Sequence, residues 1–567
     1  MKKLIRNIAA IAIVGVFAIS AAACDRGGAT PAPTPPAQPG QQPPVATPIP
    51  PPAPFSYPMD TNVTLTYWRD FPANHNGIVE SMNDTQLARN LIEATGIDVE
   101  WVQPIGGTNA EGFALMVGTA QFPDIIQANW QGNFPGGVAG ALYQGVMLPL
   151  NDYMAQWAPN FLGLMAEHPL INLEVMTDAG IYYVFPFLRI DPILRTSTGP
   201  MLRYDWLQEA NLPVPVTIQD WENALVAFRD AHGAVFTGVS SGGNPNGLHA
   251  AFATAWGLRP TQTQGFNLRY GTQEVFWSFN DPAFRDYLET MARWYQMGLI
   301  DGGIGSRTRA EMDAMILSGE AGGFIGPVGG GLGPWLTAGQ AQDPTFDAVV
   351  PRFPVLNAGD STNFQGTSSA FDLGSWGHAA ITITARQNGV IEEATRFLDF
   401  GYSEEGALLY NWGEYGLVWE WQDQAAGTRQ YTQYIHNHPT RNFAQALSYH
   451  ALSPINGPFP QDGQYMPEFA SRPQQRNALQ VWNFGHNAAS TLFPAVSFTE
   501  AEADQNANLL GNINTFFQPM VLNWILGLEP LNDDTWNSYV AQLDNLGIQQ
   551  VLANYQAAAD RFFARGQ

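Results

Sequence analysis

The chain has 567 residues, 45% of them hydrophobic, enough for large cores and more than one domain. Charged residues make up 13%, with 50 acidic against 25 basic side chains and a formal net charge of -25; that sign disfavours nucleic acid and anionic membrane surfaces as main partners. Cys24 is the single cysteine, which excludes a disulfide-stapled module, and the lysines are confined to Lys2 and Lys3, so no lysine remains beyond the leader for a Schiff base or a phosphate loop.

Lys2, Lys3 and Arg6 precede an uncharged apolar run from Ile8 to Ile19, and Ala21-Ala22-Ala23 lead into Cys24. The run is short for a membrane span and reads as a signal peptide over residues 1–23, ending like a bacterial lipoprotein signal, with Cys24 as the lipidated residue. Cleavage there removes three positive charges, giving -25 - 3 = -28. Residues 24–58 form a flexible linker: twelve prolines fall among the twenty-four residues from Pro31 to Pro54, which forbids helix and sheet. In polyproline II that stretch reaches roughly 75 Å, a stalk for a body anchored on the outer face of the cell membrane.

Val63 to Trp68 alternates as a strand. Asp84 is expected to cap a helix through Leu87 and Leu91 that stops at Gly96. A strand from Ile97 to Val102, a helix from Glu111 to Gly118 and a strand from Pro123 to Ala128 follow. Strands alternating with helices predict an α/β fold with a largely parallel sheet, whose ligands are met beyond the strands' carboxyl ends. Met201 to Ala210 reads as a helix, and Thr217 with Asp220 three residues on starts another to Ala231. Asp281 caps Pro282 to Met297; a helix from Glu311 to Ser318 and a strand from Gly322 to Ile325 come next, and the glycines of Gly326 to Gly333 let backbone approach Trp335. A strand is expected near Thr382 and a helix from Gly389 to Phe400; beyond Phe443 the chain is mainly helical, with a start at Thr499 and Glu502.

Several blocks resemble the extracellular solute-binding lipoproteins of carbohydrate ABC importers, family 1, in their large LplA-like branch. Arg203-Tyr204-Asp205-Trp206-Leu207 with Pro213, Thr217 and Trp221 is similar to the family's R-x-D-W-L … P-x-T-x-x-E-W block. Trp294-Tyr295-Gln296-Met297-Gly298-Leu299-Ile300-Asp301 and Ser318-Gly319-Glu320-Ala321-Gly322 resemble two further blocks, and the stretch from Phe516 to Arg561 resembles the closing helices. The resemblance implies a periplasmic-binding-protein-like bilobed fold, two α/β lobes joined by crossing hinge segments, with a helical C-terminal part. Residues 59–187 plus 360–408 would form the N-terminal lobe, and 188–359 plus 409–567 the C-terminal lobe and closing helices. It implies a monomeric, non-enzymatic protein that closes over an oligosaccharide and delivers it to the permease subunits of an ABC importer. A surface polysaccharide adhesin and a peptide-binding trap are the alternatives. Many relatives carry a calcium loop after the Glu-Trp block, whereas Arg229 to Phe236 here offers one carboxylate, so no metal and no cofactor is expected.

Sugar sites pair flat aromatic rings with planar hydrogen-bonding groups. Trp68 and Trp130 are the leading candidates because they stand at predicted strand ends, flanked by Arg69, Asp70 and Asn129. Trp256, Trp335, Trp376 and Trp412 lie near glycine-rich turns; Arg189, Asp191 and Arg203 offer charged partners to hydroxyls or a uronate. Trp206, Trp221, Trp294, Trp524 and Trp536 have helical apolar neighbours and are read as core. No catalytic constellation is found: His436-Asn437-His438 lacks further metal-ligand spacing, and Glu392-Glu393 and Glu404-Glu405 are helix neighbours that do not face one another. The negative body points to a neutral oligosaccharide.

Overall fold

The structure is a computed structural model, described for residues 55–103, 108–240, 243–261, 263–361, 369–374, 377–483 and 491–566. The expected leader, Cys24 and most of the linker lie outside these residues. Among them, no helix is long and apolar enough to cross a membrane.

Eight strands build two four-stranded sheets: β1 (Thr64–Trp68), β2 (Asp98–Val102), β3 (Ile125–Ala128), β4 (Thr198–Arg203), β5 (Val235–Thr237), β6 (Ala321–Pro327), β7 (Ala348–Val349) and β8 (His378–Ile381). The first sheet has the order β8-β3-β1-β2, with β2 and β3 parallel to β1 and β8 antiparallel to β3. The second has the order β5-β6-β4-β7, with β5 parallel to β6 and β4 antiparallel to both neighbours. Antiparallel β8 reaches the first sheet only after the chain has built the second, so the polypeptide must cross between lobes more than once.

Local capping chemistry sets many helix starts. Thr217 and Asp220 make a reciprocal capping box at Ile218–His232, as do Thr308 and Glu311 at Arg309–Ser318 and Thr499 and Glu502 at Glu500–Ile525. Two expectations are corrected. Asp84 completes a capping box with Ser81 on a short 3-10 turn, and Thr85 caps the helix Gln86–Thr95. Met201 to Arg203 is strand rather than helix, because Met201 and Leu202 pair with Phe324 and Gly323 across β4 and β6; that long-range ladder overrides local propensity.

Both sheets are covered on two faces. One core cluster joins Leu65, Tyr67, Ile125 and Ile126 to Phe185, Ala379 and Phe397, and also takes in Tyr410, Leu452 and Phe459. Two further clusters flank the second sheet: one contains Leu225, Phe236 and Ile325 with Trp524, Tyr539 and Tyr555, the other Met201, Phe324 and Trp335 with Trp412 and Trp482. All five tryptophans assigned to the core from helical spacing, Trp206, Trp221, Trp294, Trp524 and Trp536, are buried there.

Three chain segments run side by side between the lobes. The Phe185 amide donates to the Ala379 carbonyl at 2.8 Å, that of Arg189 to Ala370 at 2.9 Å, and that of Gln461 to Leu188 at 2.8 Å. Residues 185–189, 370–374, 377–379 and 459–461 thus form the hinge between the lobes.

Candidate functional site

The carboxyl ends of β1, β3 and β6 and the amino ends of antiparallel β4 and β8 face the region above this hinge, where a doubly covered α/β sheet leaves its crevice. On one side of the hinge is a cavity of about 1210 Å³. Ala73 and Asn74, beyond β1, form one wall; Ser197, before β4, and Pro327 to Gly330, beyond β6, form the opposite one. Its remaining wall comes from Arg189, Leu194, the segment 333–341 and residues 436–475, with Phe443, Tyr465 and Phe469 among amides of Asn437, Asn442, Gln445 and Gln461. On the other side are adjoining cavities of about 690 and 260 Å³, which share Gln131, Gln264, Leu373, Val496, Phe498 and Tyr555. Aromatic faces alternating with planar amides suit a ligand with C–H faces and a rim of hydroxyls.

The expected site residues separate into three groups. Arg189 is half-buried, lines the large cavity and lies 5.4 Å from the Phe187 ring. Asn129 lines the 260 Å³ cavity, where its side chain also accepts the Gly132 amide at 2.8 Å. These two stand at cavity walls on either side of the hinge.

Four tryptophan rings are core instead. Trp68 and Trp130 are each 2% exposed, and Phe113 packs edge-on against both, with the Phe113 and Trp130 centroids 5.3 Å apart. Helices cover both faces of the first sheet, so a ring at a strand end meets the covering helix before it meets solvent. Trp335 is buried with its indole N–H donating to Asp313 at 2.8 Å; a Cβ at Gly326 or Gly331 would collide with its ring, which is why those positions are glycine. Trp412 is buried, donates to Asp462 at 2.8 Å and packs against Tyr431. These four placements correct the expectation of ligand-facing rings.

The rest serve structure or lie apart. Buried Arg69 donates to the Asn456 side chain at 3.2 Å and stands 3.8 Å from half-buried Asp70, tying the end of β1 to the hinge. Arg203 forks onto Asp205 and lies 4.2 Å from both the Trp206 and Phe346 rings, a buried sandwich outside the cavities around the hinge. Asp191 is exposed and accepts the Ile193 amide at 3.0 Å. Trp256 is half-buried with its ring edge-on to Tyr287. Trp376 lies outside the described residues.

Sequence reasoning missed Asn74, Gln264, Phe371, Phe443, Tyr465, Phe469, Arg472, Phe498 and Tyr555 as cavity-wall residues. They come from segments separated by hundreds of positions, and no local motif joins them. Burial lowers the pKa of His75 and of His378 to about 4 and raises that of Glu174 to about 7, where Arg195 opposes the shift.

The stretch from Arg229 to Phe236, which spans the end of the helix Ile218–His232, does not fit calcium. Its single carboxylate, Asp230, accepts both Nε and Nη2 of Arg229 at 2.8 and 2.6 Å, and Val235 already begins β5; a hard cation needs six to eight oxygens. Among the described residues, no group of three or more His, Cys, Asp or Glu side chains is arranged to hold a metal.

The fold and its interlobe cleft define a two-lobed binding protein. The chain belongs to the family of bacterial extracellular solute-binding proteins, whose family model matches residues 81–408. It is 20% identical, over 526 residues covering 85% of this chain and 88% of the relative, to the fructooligosaccharide ABC transporter substrate-binding protein FusA of Streptococcus pneumoniae serotype 4. Among solved structures it is similar to the alginate-binding protein AlgQ2, with a TM-score of 0.71 and 22% identity over 89% of this chain and 99% of that one. An HMO-binding, ABC-transporter-associated solute-binding protein of Bifidobacterium longum infantis has a TM-score of 0.67 at 15% identity, over 88% and 99% of the two chains.

Proposed function

We propose that this protein captures an oligosaccharide in the interlobe cleft and presents it to the permease of an ABC importer. The observation that carries the reading is the cleft lining, in which Phe443, Tyr465 and Phe469 alternate with side-chain amides between the strand ends of both lobes. The names of the relatives, which bind fructooligosaccharide, alginate or HMO, support the same ligand class. Binding is coupled to motion about segments 185–189, 370–374, 377–379 and 459–461: a ligand that bridges both walls stabilises the closed form by its differential affinity. Nothing in this cycle makes or breaks a bond. We place the body on the extracytoplasmic face, tethered by lipid on Cys24 through the proline-rich stalk, on the strength of the leader sequence.

The test is thermal unfolding of residues 58–567 with a panel of oligosaccharides and oligopeptides, since a ligand that binds only the folded state raises the apparent midpoint. A rise with an oligosaccharide is expected. A rise with peptides alone would refute the sugar reading and keep the two-lobed trap, whereas silence to both would favour a surface adhesin.

A further inference from the structure

We infer that the ligand of the larger cavity carries a carboxylate, as a uronate or sialate unit, and that Arg189 and Arg472 read it; this rests on the sugar-capture reading above. The argument begins with charge. The chain holds twice as many acidic as basic side chains, yet the described wall of the 1210 Å³ cavity contains Arg189, Arg472 and His436 and no aspartate or glutamate. Inside this cavity the balance of the whole protein is reversed.

The two guanidinium groups are also available. Among the described residues, the Arg189 guanidinium makes no hydrogen bond or ion pair, and it lies over the Phe187 ring at 5.4 Å. Beside the dominant effect of burial, the Arg189 charge lowers the pKa of Tyr465 on the same cavity wall. Arg189 therefore places positive charge on the wall of the large cavity. Among the described residues, Arg472 donates to neutral partners, Gln340 Oε1 at 2.8 Å and Thr337 Oγ1 at 3.0 Å, and pairs with no carboxylate.

Nearby charges are occupied elsewhere. Glu468 stands 3.5 Å from His436 and takes the Tyr431 amide, and Asp191 takes the Ile193 amide. Arg309, paired with Asp313, holds the Gly330 carbonyl and so orients the loop beyond β6 rather than the ligand. A planar guanidinium matches a carboxylate with two parallel hydrogen bonds, a geometry that a hydroxyl cannot complete. Long-range repulsion from a body near -28 does not oppose this, because salt screens it within about 10 Å while the cleft contact is direct.

The test uses the full-length protein on an array of matched glycan backbones in uronate, sialate-capped, sulfated and neutral forms, followed by solution titration of the best binders. The expected result is a uronate or sialate preference that falls at least about tenfold when the carboxyl is reduced to a primary alcohol, and equally in Arg189→Gln or Arg472→Gln. Carboxyl reduction alters only the ligand, so this arm stands even if a variant fails to fold. Neutral glycans bound as tightly as acidic ones, with both variants at wild-type affinity, would overturn the carboxylate assignment and leave sugar capture intact. Binding confined to sulfated forms would also overturn it, and binding of no glycan in any form would overturn the sugar reading beneath it.

Discussion

His249 makes the second lobe acid-sensitive, because burial keeps its ring neutral in the folded protein. The ring is 1% exposed, its Nδ1 lies 2.8 Å from the Tyr287 hydroxyl, and Phe279 and Phe284 pack around it. Burial lowers its pKa from 6.5 to about 3. Between those values the unfolded chain binds a proton that the folded one excludes, so the contribution is whole above pH 6.5 and is lost as pH falls toward 3. At about pH 4.5, two units below the unfolded value, the loss from this one residue is on the order of 2 to 3 kcal/mol. His75 and His378, also lowered by burial, act in the same direction; Asp399 and Glu174, raised by burial to about 6 and 7, act oppositely, adding stability as pH falls through those values. Comparing wild type with His249→Gln isolates the single term. Urea midpoints at about pH 7.5 and pH 4.5, followed by tryptophan fluorescence, should show the variant losing about 2 to 3 kcal/mol less than wild type on acidification. Whatever the variant costs at neutral pH cancels in that difference. Parallel pH profiles for the two proteins would refute the reasoning.

Trp130→Ala should remove a core ring rather than a ligand contact, destabilising by about 3 to 5 kcal/mol and lowering the calorimetric midpoint, while glycan affinity well below that midpoint stays at wild type; lost affinity with an unchanged midpoint would return the ring to the cleft. Arg561 bridges the lobes, 2.6 Å from Asp178 beside the first core and 2.6 Å from Glu502 beside the second. Because these groups are partly exposed, Arg561→Ala should cost only about 1 kcal/mol. It should also enlarge the ligand-free radius of gyration in small-angle scattering, and an unchanged radius would show that the pair does not hold the lobes together.

Much of the fold was legible because its signals are local. The boxes at Thr217/Asp220 and Thr499/Glu502 start helices through bonds spanning three residues, and Gly96 ends one in a left-handed conformation with φ 71°. The parallel β1-β2-β3 arrangement followed from alternating strands and helices, and the solute-binding resemblance was visible in short blocks in the right order. Tertiary structure decided what those elements present to the cleft. Trp68 looks the same in sequence whether its ring faces solvent or Phe113, and only the helix packed over the sheet chooses. Arg203 and Arg189 are alike as letters, yet the first is closed between Trp206, Phe346 and Asp205 while the second stands open on a hinge floor. The sequence by itself determined the elements, their order and the family, because hydrogen bonds a few residues apart and apolar periodicity are written along the chain. The large cavity and its reversed charge exist only where residues 74, 189, 330 and 472 are brought together, because that proximity is made by packing and chain crossings that no local pattern encodes.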